Sequence, residues 1–129
     1  MNAPITALYG AAAGVLLLLL SWLVVKARWR YGTSLGTGTE PGMARAVRVH
    51  GNFVEYVPLA LLLLLLAELN GLPAWFLHAT GMVLLASRAL HAWGLGSTPG
   101  RSFGRFYGTA GTWAVILALC AALPYRMWG

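Results

Sequence analysis

The stretch ITALYGAAAGVLLLLLSWLVV, residues 5–25, decides the fold class of this chain. It contains no charged side chain and is about 20 residues long, which is the length an α-helix needs to cross the hydrocarbon core of a bilayer. Its positively charged neighbours, Lys26, Arg28 and Arg30, follow the apolar residues, whereas those of a signal peptide precede them. The stretch therefore predicts a first membrane-spanning helix over about residues 5–26.

The composition supports the same class for the whole chain. Of the 129 residues, 59% are hydrophobic and only 9% are charged, whereas a soluble domain carries about 25% charged residues. This composition excludes a soluble enzyme, a disordered protein and, despite the net charge of +6, a nucleic-acid binder. A single cysteine, Cys120, excludes a disulfide framework and a cysteine-based zinc site. We therefore predict one small integral membrane domain without a metal site or a nucleic-acid partner.

The second span is predicted from the polar residues that it must include. The uncharged segment 56–67 is too short to cross a bilayer, and the residues after it are typical of a turn. The helix must therefore extend towards the N-terminus. A span over about residues 45–69 brings Arg48, Asn52 and Glu55 into or against the hydrocarbon.

Two more spans complete the chain. Helix three is predicted over about residues 73–94, with Pro73 in its first turn. Helix four is predicted over about residues 102–123, with Pro124 ending it. The predicted fold class is therefore all-α, with residues 1–129 forming one four-helix membrane bundle.

Positive charge is distributed unevenly over the two sides of this bundle. All but one of the nine Lys and Arg residues fall on the side of the loops that join helix one to two and helix three to four. They are Lys26, Arg28, Arg30, Arg45, Arg48, Arg88, Arg101 and Arg105, and Arg126 is the exception. By the positive-inside rule, this side faces the cytoplasm and both termini face away from it.

Helix two carries a polar stripe at helical spacing. At about 100° per residue, four polar residues share one face. These are Arg45, Arg48, Asn52 and Glu55, whereas His50 and Glu68 lie on the opposite face. A cation, an amide and a carboxylate at spacings of four and three can bind a ligand together or bind one another.

Helix three places a second arginine near this stripe. Counting residues along the two helices places Glu55 and Arg88 at one depth. Because a buried arginine needs a partner, we predict a Glu55–Arg88 pair. Arg105 reaches a similar depth early in helix four, and His91, on the same face as Arg88, is a candidate to line the same polar cavity.

Three further features predict packing. His78, in the middle of helix three, is expected to pack or to form a hydrogen bond between helices. The pairs Gly10/Gly14 and Gly104/Gly108 have the GxxxG spacing, which favours close contact between membrane helices.

Residues 45–58, RAVRVHGNFVEYVP, resemble the signature of the MAPEG family, the membrane-associated proteins in eicosanoid and glutathione metabolism. The family pattern has Arg, Asn, Glu and Pro at the spacings of Arg48, Asn52, Glu55 and Pro58. The four-span layout and the length agree over essentially the whole chain. The resemblance implies a homotrimer of four-helix subunits, with glutathione held between neighbouring subunits near the cytoplasmic face.

The resemblance also implies which residues form the site. An arginine near the start of helix four holds the glutathione thiol as a thiolate. Arg101 matches that position by its preceding proline and following serine, and Arg105 is the other candidate. The residues expected to bind glutathione are Arg28, Arg48, Asn52, Glu55, Tyr56, Arg88, His91 and Tyr107.

The chemistry of glutathione fits these residue types. Arginine forks suit its two carboxylates, and Glu55 can take its ammonium. A thiol has a pKa of about 8.5, which an adjacent cation lowers. The resemblance, supported by this chemistry, implies a membrane-bound glutathione transferase of detoxification that acts on apolar electrophiles, with peroxidase activity as an additional expectation. The eicosanoid-making branches have tyrosines where this chain has Trp93 and Leu95, which disfavours leukotriene or prostaglandin synthesis.

Two other functions remain open. One is a non-catalytic membrane scaffold that binds lipid, a hydrophobic small molecule or another protein. The other is a small multidrug transporter, which needs a membrane carboxylate for proton coupling, typically in its first helix, and residues 5–26 contain none. In each case we expect a multi-pass protein of a bacterial inner (cell) membrane.

Overall fold

The computed structural model describes the backbone of residues 2–97 and 103–129, and the side chains of residues 2–94 and 103–129. The described chain forms four α-helices and contains no strand. The helices are α1 (Pro4–Tyr31), α2 (Pro41–Leu69), α3 (Ala74–Ser97) and α4 (Phe103–Trp128). The predicted all-α bundle is confirmed.

Three of the described helices, α1, α2 and α4, are long and apolar enough to cross a membrane. They have 28, 29 and 26 residues, or about 40 Å each at 1.5 Å per residue. The hydrocarbon core is about 30 Å thick, so each of these helices extends beyond it. α3 contains Arg88 and two histidines, and it packs against the other three helices.

The helix ends follow local backbone chemistry, and several lie beyond the predicted bounds, since α1 continues past residue 26 to Tyr31 and α2 begins at Pro41. α1 ends where Gly32 adopts a left-handed conformation with φ of 64° and donates its N–H to the Arg28 carbonyl. α4 does not end at Pro124 but continues to Trp128. A proline removes one hydrogen bond of the helix, and later bonds still form, since the Gly129 N–H donates to the Tyr125 carbonyl at 2.8 Å.

α2 lies centrally and contacts α1, α3 and α4. Its inner side contributes Val49, Phe53 and Val57 to an apolar cluster with α1. Further along, Ala60 and Leu64 join a second cluster with residues of α1, α3 and α4. The two clusters hold α2 in a fixed rotation, and this rotation decides where its polar residues point.

The face of α2 opposite the polar stripe turns to α1, as its helical spacing predicts. His50 Nε2 lies 3.1 Å from Ser21 Oγ. At the other end of the bundle, the Glu68 carboxylate accepts the backbone N–H groups of Ile5 at 2.9 Å and Thr6 at 2.6 Å. A carboxylate there caps the positive end of the α1 dipole, so Glu68 ties the two helices together.

The predicted helix contacts form in part. The Tyr9 hydroxyl lies 3.1 Å from His78 Nδ1, so His78 does join two helices. A methyl group on Gly108 would lie 2.6 Å from the backbone oxygen of Ser87, which shows how closely α4 approaches α3. By contrast, nothing lies within 4 Å of a methyl group on Gly10, and the same holds for Gly14. The GxxxG motif of α1 therefore makes no close helix contact within the described chain.

Candidate functional site

Arg88 is the buried polar centre of the bundle. Its side chain is 2% exposed and donates hydrogen bonds to Asn52 Oδ1 of α2 and, at 3.2 Å, to Thr112 Oγ1 of α4. Its guanidinium carbon lies 6.0 Å from the centre of the Tyr56 ring, within the range of a cation–π contact. One side chain of α3 thus joins the two helices on either side of it.

The predicted Glu55–Arg88 pair is wrong. Glu55 instead accepts a hydrogen bond from Arg48 Nη1 at 3.3 Å, and the two side chains are 54% and 61% exposed. Asn52 lies one turn earlier and faces α3, so its amide oxygen serves as the acceptor for Arg88. This amide is neutral, and the described carboxylates form no salt bridge with Arg88. The charge of the Arg88 guanidinium is therefore not neutralised within the described residues.

A cavity of about 980 Å³ opens between α2, α3 and α4, next to this network. Five of the predicted site residues line it: Arg48, Asn52, His91, Arg105 and Tyr107. The remaining lining residues are Phe103, Phe106, Thr109, Ala110 and Trp113. The structure therefore brings together residues from three helices that are far apart in sequence.

The lining of the cavity combines polar and aromatic side chains. The polar groups are the guanidinium groups of Arg48 and Arg105, the amide of Asn52 and the imidazole of His91. The aromatic residues come from α4, and Phe103, for example, is 68% exposed. Such a cavity offers partners to a ligand that has both an anionic and an apolar part.

Four predicted residues lie outside the lining of this cavity. Arg28 donates to the carbonyl oxygens of Thr33 and Gly36, both at 3.2 Å, and so stabilises the loop between α1 and α2. Glu55 adjoins the cavity only through its ion pair with Arg48. Tyr56 and Arg88 lie behind Asn52, and their side chains contact each other.

Two further residues were singled out from the sequence. Arg101, the first candidate for thiolate stabilisation, lies outside the described residues. Arg45 does not line the cavity of Arg48 and Asn52, and instead lines a second cavity together with Lys26 of α1.

Thr112 and the aromatic residues Phe103, Phe106 and Trp113, which we call the aromatic wall, were not among the predicted site residues. Thr112 Oγ1 accepts from Arg88 and donates to the Gly108 carbonyl at 2.8 Å, so it is fully satisfied in the core. The aromatic wall had a readable signal, since Phe103, Phe106 and Trp113 recur at helical spacing on one face of α4. No sequence pattern indicates that Thr112 binds Arg88, because this contact depends on how α3 packs against α4.

Comparison with known proteins agrees with this architecture. The chain is 38% identical over 125 residues to the protein called Inner membrane protein YecN of Escherichia coli (strain K12). The match covers 96% of this chain and 94% of that protein, and the Escherichia coli O6:H1 protein of the same name matches equally. The model of the MAPEG family matches residues 6–124. The four-helix membrane bundle described above therefore belongs to the MAPEG family.

Proposed function

We propose that this chain is a membrane-bound transferase that uses glutathione as co-substrate and acts on apolar electrophiles in detoxification. The observation that carries the proposal is the composition of the 980 Å³ cavity, which combines two arginines, an amide and an aromatic wall. Membership of the MAPEG family supports the choice of glutathione. The same cavity would also serve peroxide reduction, in which an apolar hydroperoxide takes the place of the electrophile.

The residues present fit glutathione by charge. The Arg48 guanidinium is exposed and can bind a carboxylate through its fork. The Glu55 carboxylate beside it can accept the ammonium. Asn52 and His91, which line the same cavity, offer further hydrogen-bonding groups.

Among the described residues, we assign to Arg105 the role of favouring thiolate over thiol. A permanent cation next to a thiol lowers its pKa from about 8.5, and Arg105 lines the cavity beside Phe106 and Tyr107. The nucleophile that glutathione supplies would then lie against the aromatic wall, where an apolar electrophile enters from the lipid. The buried charge of Arg88, behind Asn52, adds to the positive potential of this side.

The assembly and the location are part of the same proposal. The cavity is open on the outside of a single subunit, and a homotrimer would place a neighbouring subunit against it. The relatives named inner membrane proteins support an inner-membrane location for this chain.

The proposal is tested by conjugation in detergent. Purified protein is mixed with glutathione and 1-chloro-2,4-dinitrobenzene, and the aromatic thioether is followed as chloride leaves. We expect turnover by the wild type, and a fall of about 10- to 100-fold for Arg48→Ala and Arg105→Ala, the loss that corresponds to one charge-assisted contact. Arg126→Ala, which removes one positive charge outside the site, should match the wild type.

Calorimetry with glutathione separates the outcomes. If the protein binds glutathione but turns over neither aromatic halides nor hydroperoxides, it is a glutathione-binding protein and the proposed transferase activity is wrong. A folded wild-type protein that binds no glutathione would remove the proposal and favour the non-catalytic scaffold.

A further inference from the structure

A second cavity, of about 510 Å³, lies where the end of α1 meets the start of α2 and the last part of α3. We call it the basic cavity, because three cationic side chains, Lys26, Arg30 and Arg45, line it. Its apolar lining includes Leu20, Val49, Ala92 and Trp93. The basic cavity shares no lining residue with the cavity proposed for glutathione.

The charge of the basic cavity is not neutralised within the described chain. Its lining contains no Asp or Glu, and the salt bridge that the described residues form lies elsewhere, between Arg48 and Glu55. The positive-inside rule accounts for cations on this side of the membrane, but it does not require three of them to share one cavity. Because like charges repel, the arrangement favours a bound anion.

The rest of the cavity is apolar and continues towards the membrane core. Leu20 and Val49 are buried at its base, and Ala92 and Trp93 of α3 form one side. Trp93 is 65% exposed, as is typical of tryptophans at the boundary between headgroups and hydrocarbon. The cations lie towards the end of α1 and the start of α2, and the apolar residues lie further along the helices. This order matches a lipid molecule, in which a charged headgroup is followed by acyl chains.

Tyr31 adds a polar group to the lining of the basic cavity. Its hydroxyl and ring lie so close to Gly42 that a methyl group there would clash with them. The Arg30 guanidinium lies 5.5 Å from the centre of the same ring. The close contact with Gly42 holds a hydroxyl group beside the cations, where it can donate to a phosphate oxygen.

We propose that the basic cavity binds an anionic phospholipid. Lys26, Arg30 and Arg45 hold the phosphate, and an acyl chain lies along the apolar base formed by Leu20 and Val49. Basic pockets between membrane helices are suited to anionic headgroups. The inference is independent of the proposed transferase, because the two cavities share no residue.

Native mass spectrometry tests the proposal. Wild-type protein is equilibrated in mixed micelles that contain equal amounts of phosphatidylglycerol and phosphatidylcholine, and the retained lipids are counted. We expect phosphatidylglycerol to be retained at least about fivefold over phosphatidylcholine, which is about 1 kcal/mol. In the triple variant Lys26→Gln/Arg30→Gln/Arg45→Gln this preference should fall to about one.

Two controls keep the result interpretable. The variant Lys26→Arg/Arg30→Lys/Arg45→Lys preserves the charge and should keep the preference, as should Arg126→Gln. The single variant Arg45→Gln, with an expected partial loss, serves if the triple variant does not fold by circular dichroism.

Three results would overturn the proposal. One is equal retention of the two lipids by the wild type. Another is an unchanged preference in a folded triple variant. The third is displacement of phosphatidylglycerol by millimolar inorganic phosphate, which would identify a site for a free anion instead of a lipid.

Discussion

At the residue scale, Arg88 is a cation whose described partners are all neutral. Asn52 and Thr112 accept its hydrogen bonds, and the face of Tyr56 lies nearby. Hydrogen bonds to neutral groups satisfy the geometry of the guanidinium but leave its charge in a medium of low dielectric. The stability of the bundle should therefore depend strongly on those acceptors.

Removing the acceptor at Asn52 tests this dependence. We expect Asn52→Leu to lower the free energy of unfolding by about 1.5–3 kcal/mol, because the buried Arg88 guanidinium loses one of its two hydrogen-bond acceptors. The double variant Asn52→Leu/Arg88→Met should be more stable than Asn52→Leu alone, since it removes the charge as well. Unfolding in mixed detergent micelles, followed by circular dichroism, measures both. Asn70→Leu, which changes an exposed amide, is the control, and an equal loss in Asn52→Leu and Asn70→Leu would refute the argument.

The arginine that favours the thiolate can be identified by titration. Arg105→Ala should raise the pKa of bound glutathione towards about 8.5, so turnover falls near neutral pH and recovers in part as the pH approaches 9. Arg48→Ala should instead weaken binding, with a smaller effect on the thiolate at saturation. The ultraviolet absorbance of the thiolate, followed against pH, reports the shift directly. A shift in Arg101→Ala but not in Arg105→Ala would move the role to Arg101, and no shift in either would remove the mechanism.

At the element scale, the contact between α3 and α4 depends on glycine. Gly108→Ala would place a methyl group 2.6 Å from the Ser87 carbonyl oxygen and equally near His91 Cβ. The Ser87 carbonyl belongs to the backbone of α3 and cannot move aside as a flexible side chain can. We therefore expect Gly108→Ala to lower the free energy of unfolding by about 1–3 kcal/mol. Gly10→Ala is the matched control, since it meets nothing within 4 Å and gains helix propensity of up to about 1 kcal/mol. If thermal unfolding in detergent ranked the two variants in the opposite order, the close α3–α4 contact would be wrong.

The helices themselves were predictable because their signals are local and long. Residues 5–25 are uncharged and apolar over the thickness of a bilayer, and no tertiary contact is needed to interpret them. The end of α4 was not predictable in the same way. Pro124 has a strong local preference against helix, yet the structure continues the helix through it to Trp128.

The candidate site was predictable in its residues but not in its pairs. Residue counting along α2 and α3 gives the depth of Glu55 and Arg88 but not which side chain of α2 faces inwards. Asn52 and Glu55 are about 60° apart around α2, and the packing of Phe53 and Val57 against α1 decides between them. This rotation is a tertiary property, so the ion pair of Glu55 with Arg48 could not be read from spacing.

At the scale of the whole molecule, α2 separates two cavities of different chemistry. The side with Arg48 and Asn52 opens to the aromatic wall of α4, and the side with Arg45 and Val49 opens to the end of α1. The surfaces proposed for glutathione and for lipid thus use adjacent faces of one helix. If both proposals hold, a lipid bound in the basic cavity contacts α2, the same helix that carries Arg48 of the cavity proposed for glutathione.

The open cavity also bears on assembly. Arg48 and Glu55 are more than half exposed on the single subunit, although α2 crosses the bilayer, and charged side chains facing lipid are costly. A neighbouring subunit would remove that cost by covering the pair, so we expect a homotrimer. Native mass spectrometry in mild detergent should give three times the chain mass of 13.8 kDa. The Glu55→Gln variant, which leaves Arg48 without its carboxylate, should lower the fraction of trimer, whereas Glu40→Gln, in the loop before α2, should not. A wild-type protein that is monomeric or dimeric both in mild detergent and in lipid nanodiscs would show that the pair is covered in some other way.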